Sequence, residues 1–431
     1  MRKIIFMIIL AFMLSGCTGK QPKPEYTSVP EPSVQPSEAK NEKTVIIYAG
    51  GMDETPATMR LIEEFNRKSE NVYVKYQELP YSLNERYKET SSSLASGRSE
   101  YDVINIELIY NAEFASKGYI RELGAYIERD GIDISSYLPA AVTAVKYEDR
   151  IYSMPKSIAP GMLYYRSDLT ENPPEDWDRL IQMAREAQEN GYTKYGFVFS
   201  GVIDDSFVVE ALEFIYSYGG KLMDPNGNLA VNVAETVKGL EKLKEIYCSD
   251  IVPEDISSIS LNDACVSFLQ GDSAFMRNLP YAWALSTNSS SPVTKNVAIA
   301  PLPKGDKKAV TLFGGFSSAI TASSKHPDEA WEFVKFIISH EGQVISAVEG
   351  GRIPTLTSVM NDNSVLESNP HFGSRSFRAI IDNAHPRPVT PHYSSFMRIF
   401  QENLSQYLRD QLSAEEMLVQ FANQMSGVVG G

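Results

Sequence analysis

Residues 44–106 read TVIIYAGGMDETPATMRLIEEFNRKSENVYVKYQELPYSLNERYKETSSSLASGRSEYDVINI, and their patterning decides the fold class. The run Thr44-Val45-Ile46-Ile47-Tyr48-Ala49 is short and apolar, as a buried strand requires. Thr55-Pro56 then opens a helix, with Thr55 as N-cap and Pro56 at the first helical position, where its missing N–H is harmless. Met59, Ile62 and Phe65 continue at helical spacing. Val72, Val74 and Tyr76 alternate, the period of a half-buried strand. A second helix is expected over 84–96, ended by Gly97, and Asp102-Val103-Ile104-Asn105-Ile106 reads as the next strand. Strand, helix, strand, helix, strand predicts a parallel sheet in an α/β protein. Ligands of open sheets bind beyond the carboxyl ends of the strands. The first candidates are therefore Asp53 or Glu54 after the first strand and Glu107 after the third.

The alternation resumes downstream. Trp177, Leu180, Ile181 and Ala184 line one face of a helix opened after Pro173-Pro174, and residues 195–199 are strand-like. Val237, Leu240, Leu243 and Ile246 mark another amphipathic helix. Residues 297–300 form a strand ending at Pro301, and Pro327 starts a helix carrying Trp331, Val334 and Ile338. Phe396, Phe400, Leu404 and Leu408 follow at spacing four, then Met417, Phe421 and Met425. From Thr44 onward roughly 390 residues remain, enough for two or three lobes.

The N-terminus has another character. Arg2 and Lys3 precede an apolar run over residues 4–14, about half the ~20 residues a bilayer span needs, so it reads as the core of a secretory signal. It ends in Leu14-Ser15-Gly16-Cys17, which resembles the lipobox of bacterial lipoproteins. That resemblance implies lipidation (palmitate) at Cys17 and a cell-membrane location on the extracytoplasmic face. Residues 18–43 are rich in Pro, Ser, Glu, Lys and Gln and bury too little apolar surface to offset ordering entropy, so they form a disordered tether. A net charge of −15 argues against nucleic acid as a partner. Of the three cysteines, Cys248 and Cys265 remain after Cys17; either a disulfide or two free thiols fits that compartment. No cysteine pair has metal-site spacing, and the five histidines are scattered, so no metal is expected. Phosphate-binding, dinucleotide-binding, zinc-protease and serine-hydrolase motifs are absent, so no cofactor and no catalytic residue is expected.

Several blocks together resemble the family 1 extracellular solute-binding proteins, the group containing maltose-binding protein, and within it the trehalose/maltose-binding branch. They are residues 101–123, YDVINIELIYNAEFASKGYIREL; 152–169, YSMPKSIAPGMLYYRSDL; 174–180, PEDWDRL; and 268–283, FLQGDSAFMRNLPYAW. Further on come PLPKG, FGGFSSAI and SKHPDEAWEFVKF within residues 300–336, and HPRPVTPHY at 385–393. The resemblance implies a periplasmic-binding-protein-like α/β fold of two discontinuous lobes joined by hinge crossings. The expected division is 1–17 signal peptide, 18–43 tether, 44–157 with 316–377 as the N-terminal lobe, and 158–315 with 378–431 as the C-terminal lobe. It also implies a monomer that captures a carbohydrate for the permease of an ABC importer.

Sugar sites set aromatic faces against ring C–H groups and planar polar groups against hydroxyls. By resemblance Glu107 stands where the branch has a sugar-binding aspartate, and Tyr110 where it has a tryptophan. Asn278 and Tyr281 lie in NLPYAW, Tyr281 matching a stacking aromatic. Phe316 follows Gly314 and Gly315 where the branch has tryptophan, and Arg387 matches an arginine that binds hydroxyls. Asp53 completes the set. This sequence departs from the branch at Ala159, at Leu279 and in GFVFSGVIDDSF, which holds Ser200 and Asp205. An unpaired buried polar group costs ~1–3 kcal/mol, so these changes alter which sugar fits, and a di- or oligosaccharide other than trehalose or maltose is expected. Two other readings share the features: a ligand sensor reporting to a membrane partner without import, and a surface polysaccharide hydrolase.

Overall fold

A computed structural model describes residues 42–98, 100–224, 227–287 and 291–429. The expected signal peptide, Cys17 and almost all of the tether lie outside the described residues. Lys43–Gly431 forms one compact unit.

Its strands are β1 (Thr44–Gly51), β2 (Val72–Leu79), β3 (Val103–Glu107), β4 (Lys146–Tyr147), β5 (Arg150–Ile151), β6 (Met154–Pro160) and β7 (Met162–Arg166), then β8 (Tyr195–Val198), β9 (Ser273–Asn278), β10 (Val297–Ala300), β11 (Thr311–Ile320), β12 (Ile353–Pro354) and β13 (Ala384–Pro386). The first sheet runs β12-β6-β11-β3-β1-β2, with β13 beside β11; the second runs β10-β7-β9-β8; β4 and β5 form a hairpin. Each of the two larger sheets belongs to one lobe of a two-lobe α/β fold.

The expected parallel sheet holds for β2, β1 and β3. It does not hold beyond them, because β11 lies antiparallel to both β3 and β6. β11 comes to this sheet from β10 of the second sheet and not through a helical crossover, so its direction is free to reverse. The first helix also begins differently from expectation. It spans Ala57–Lys68 with Pro56 at the cap position, and Asp53, not Thr55, accepts the Thr58 N–H at 3.1 Å. A carboxylate there complements the positive end of the helix. The other helices fall where their periodicity put them: Leu83–Ala95, Trp177–Glu189, Val233–Tyr247, Pro327–Ile338, Tyr393–Leu408 and Ala414–Val429. Gly97, at φ +63°, supplies the left-handed turn after the second.

Burial follows the sequence pattern. Ile46, Tyr48, Leu61, Phe65, Val72 and Val74 pack with Trp331, Phe333 and Ile337 of helix Pro327–Ile338 in the first lobe. In the second, Trp177, Leu180, Phe214 and Leu240 share a core with Phe396, Phe400 and Phe421 of the C-terminal helices.

The lobes meet where β6 runs through Gly161 into β7. The Gly161 N–H donates to the Leu312 carbonyl at 3.0 Å, and Thr311 Oγ1 donates to the Gly161 carbonyl at 2.6 Å. Beneath this crossing Arg277 of β9 donates through Nε and Nη2 to Glu213 at 3.0 and 2.9 Å, and through Nη1 to Glu210 at 3.2 Å. Glu213 also accepts the Leu312 N–H at 3.0 Å. A Cβ at position 161 would lie 2.5 Å from Glu213 and 2.6 Å from Arg277, so only glycine lets the chain pass over the trio. Gly315 has φ +134°, and a side chain there would overlap the Ser157 carbonyl of β6.

All three members of the trio are buried. Burial pushes the Glu210 carboxyl well above the ordinary range against the pull of Arg277, and raises the Glu213 carboxyl as well. Burial opposes the charge on Arg277, but Glu213 and Glu210 outweigh it and raise its pKa. Removing the cation strands the carboxyls, so Arg277→Leu should cost about 3–5 kcal/mol in denaturant unfolding near neutral pH. Buried carboxyls with raised pKa favour the native state at low pH and lose that contribution as pH rises. The cost of Arg277→Leu should therefore shrink between about pH 7 and about pH 5; an undiminished cost at the lower pH would contradict this account of the trio.

Candidate functional site

Chemically mixed side chains gather where β3 and β11 end their pairing. Glu107 is the last residue of β3, is 9 % exposed, and sits directly across from Phe316 in β11. Helix Leu83–Ala95 brings Arg86 onto it: Nε donates to Glu107 at 3.2 Å and Nη2 donates to the same oxygen. The third nitrogen, Nη1, donates to the Pro80 and Tyr81 carbonyls at 3.2 and 3.3 Å, fixing the turn before the helix. The guanidinium lies 6.0 Å from the centre of the Phe316 ring. A Cβ at Gly51 would overlap Arg86, so the glycine closing β1 is what admits the arginine.

A second cation belongs to the same region. Arg387 follows β13; its Nη1 donates to Asp205 at 2.7 Å and to the Tyr393 hydroxyl at 3.3 Å. Tyr110 lies between the two ion pairs, its ring 4.5 Å from Tyr87, 6.1 Å from Phe114 and edge-on to Tyr393 at 6.3 Å. Burial raises its hydroxyl pKa, with the Glu107 and Asp205 carboxylates adding in the same direction. Neighbouring aromatic rings surround Tyr110, so its hydroxyl is the polar handle it offers. Glu113 ties the two flanks together, accepting from Tyr87, from Lys117 at 2.6 Å and from Ser394 at 2.9 Å.

The remaining candidates stand apart from this cluster in different ways. Asp53 is engaged by Arg352, by the Thr55 N–H and hydroxyl at 3.1 and 2.7 Å, and by the Thr58 N–H and hydroxyl at 3.1 and 2.6 Å. Asn278 is fully buried; its Nδ2 donates to the Leu261 carbonyl at 2.9 Å and its Oδ1 accepts the Leu279 N–H at 2.8 Å. It fixes the turn into helix Tyr281–Ser286. Tyr281 is 38 % exposed and bonds Asn262 at 3.0 Å. Burial raises its pKa, the Cys265 thiol contributes, and so does Tyr81, which belongs to the turn held by Arg86. Tyr81 is 66 % exposed. Gly315 supplies backbone rather than a side chain, letting β11 approach β6 beside Phe316.

The structure thus brings together Glu107, Tyr110, Phe316 and Arg387 and adds Arg86, Asp205 and Tyr393, which sequence reasoning did not select. Arg86 carried a legible signal. It shares a buried helical stripe with Thr90 and Leu94, and a cation on such a stripe needs a partner. Tyr393 gave none, because an aromatic opening an amphipathic helix reads as core. Cys248 and Cys265 are both free thiols, the first exposed and the second buried. Among the described residues no group of three or more His, Cys, Asp and Glu is arranged to hold a metal.

Comparison with known proteins adds to this geometry. Residues 49–344 match the family model described as "Bacterial extracellular solute-binding protein". A "Probable ABC transporter-binding protein" of Deinococcus radiodurans is 30 % identical over 338 residues, covering 76 % of this chain and 79 % of that protein. A "Galactooligosaccharide-binding protein" of Bacillus subtilis is 21 % identical over 343 residues, covering 77 % and 76 %. Among solved structures, maltose-bound MalE3 of T. maritima superposes with a TM-score of 0.77 at 28 % identity, covering 89 % of this chain and 100 % of that one.

Asp53 gives the site a pH signature. Burial alone would raise its carboxyl, but Arg352 and the Thr55 and Thr58 donors outweigh it and hold it at about 2. A depressed carboxyl stabilises the native state above its unfolded pKa and loses that contribution as pH falls through the folded one. Asp53→Asn should cost about 2 kcal/mol at neutral pH. The difference from the parent should close between about pH 4 and about pH 2 in acid melts; a gap that stays constant to low pH would contradict the assignment.

Proposed function

This chain belongs to the bacterial extracellular solute-binding proteins, and from that premise we propose that it captures a di- or oligosaccharide between its lobes and delivers it to an ABC permease. The observation that carries the reading is the cluster around Tyr110: the Arg86–Glu107 pair beside the Phe316 face and the Arg387–Asp205 pair beside Tyr393. Carboxylates accept from sugar hydroxyls, guanidiniums donate to them, and each such bond to a charged group is worth ~1.5–3 kcal/mol. The ion pairs Arg86–Glu107 and Arg387–Asp205 hold these groups in position before a ligand arrives, which lowers the entropy lost on binding. Phe316 supplies an aromatic face, and Tyr81 and Tyr281 supply two more at the rim. Asn278 and Asp53 act one step back, fixing the turn before Tyr281 and the helix after β1.

Closure would be a hinge motion about the segments that carry the chain between the two sheets, β6 into β7 and β10 into β11. The lobe boundaries expected from the sequence, 157/158, 315/316 and 377/378, fall inside β6, β11 and helix Arg375–Asp382. Rotation about a few such segments would bring Tyr281 and Tyr81 against opposite sides of a sugar. Lipidation at Cys17 followed by the tether would keep the body at the outer face of the membrane, within reach of a permease.

Thermal shift of residues 44–431 against mono-, di- and oligosaccharides, polyols, amino acids and ferric ion tests the proposal. A ligand at about 100 times its Kd should stabilise the fold by ~2.7 kcal/mol. The shift should be confined to sugars, and Glu107→Gln and Tyr281→Ala should each weaken binding about tenfold or more. A shift only with non-sugars would overturn the substrate class. A sugar shift indifferent to both substitutions would overturn the site.

A further inference from the structure

A cavity of about 590 Å³ lies behind Arg387, away from Glu107, Phe316 and Tyr281. Its walls come from segments on both sides of the lobe crossing. Tyr216 and Met223 follow or end the helix Asp205–Ser217 region; Val310 leads into β11; Pro386 and Val389 lie in and after β13; Thr143 comes from helix Pro139–Ala144. Most of these groups are apolar. One edge is cationic. Lys308 Nζ lies 3.0 Å from His385 Nε2, and among the described residues neither Lys308 nor Lys221, which also lines the cavity, has a carboxylate within ion-pair distance. The carboxylate of Asp224, which shares the lining, is engaged by the Asn228 N–H at 2.9 Å and side-chain amide at 3.0 Å. Burial and the Lys308 charge lower the His385 pKa, so the imidazole is neutral and accepts from the ammonium. Arg387 adds a buried Nε–H with no acceptor among the described residues.

Two uncompensated cations beside an apolar hollow are conspicuous in a chain of net charge −15. An isolated ammonium at the mouth of an apolar cavity gains most from an anion whose body fills the hollow, since the charge is neutralised where water is partly excluded. We propose that this cavity is a second binding site, for a small organic carboxylate with an apolar body, held by Lys308 and Lys221. The proposal does not rest on the carbohydrate reading. Arg387 belongs both to this cavity and to the Asp205–Tyr393 cluster.

Isothermal titration of the purified protein with hexanoate, benzoate, hexanol and inorganic phosphate tests the site. Hexanoate or benzoate should bind saturably, and hexanol and phosphate more weakly. Lys308→Glu and Lys221→Glu, both at exposed positions, should each weaken the carboxylate about tenfold while leaving the melting temperature unchanged. Glu107→Gln should leave carboxylate binding intact. Absence of saturable heat at about 10 mM carboxylate overturns the proposal. So does binding that survives both lysine changes, binding lost in Glu107→Gln, or phosphate binding in preference to the carboxylates.

Discussion

A guanidinium taken out of water must be matched inside the protein, and Arg277 is matched by groups that span the lobe crossing. Its partners Glu210 and Glu213 sit on helix Asp205–Ser217, and Glu213 also accepts from Leu312 of β11. The same helix begins with Asp205, which holds Arg387. One helix therefore positions β9, the start of β11 and the segment after β13 relative to one another. Gly161 passes over the trio because nothing larger fits. The cost of desolvating these charges is offset only in this arrangement, so the buried trio fixes geometry more than it adds stability.

The cleft inherits its order from that frame. β11 carries Phe316 across from Glu107, and Arg86 reaches both from a helix whose preceding turn it also holds. Charged groups that already have partners do not collapse onto one another when a cleft is empty. They present fixed donors and acceptors, which suits a ligand made of hydroxyls that both donate and accept. The rear cavity has the opposite composition, an apolar hollow edged by Lys308 and Lys221, and calls for different chemistry. Arg387 stands between the two.

Much of this was legible in the sequence because periodicity reports burial directly. The helices Trp177–Glu189, Val233–Tyr247, Pro327–Ile338, Tyr393–Leu408 and Ala414–Val429 and the strands over 44–51, 72–79 and 297–300 follow from spacing alone. The order of the sequence blocks carried the family resemblance, and with it Glu107, Phe316 and Arg387. What stayed hidden depends on partners distant in sequence. The antiparallel course of β11 is set by where the chain crosses between lobes, which no local pattern encodes. Asp53 reads from the sequence either as a ligand group or as a helix-capping carboxylate; that Arg352, some three hundred positions on, also holds it is not legible there. The position of Arg86 on a stripe with Thr90 and Leu94 is legible, but its partner Glu107 and the space left by Gly51 are not.

The central claim is that a carbohydrate draws the lobes together. Small-angle X-ray scattering of residues 44–431, without ligand and saturated with the sugar selected by thermal shift, tests it most directly. The account predicts a smaller radius of gyration on saturation, reversed in the Glu107→Gln protein at the same sugar concentration. Scattering unchanged at full occupancy would contradict closure around the ligand.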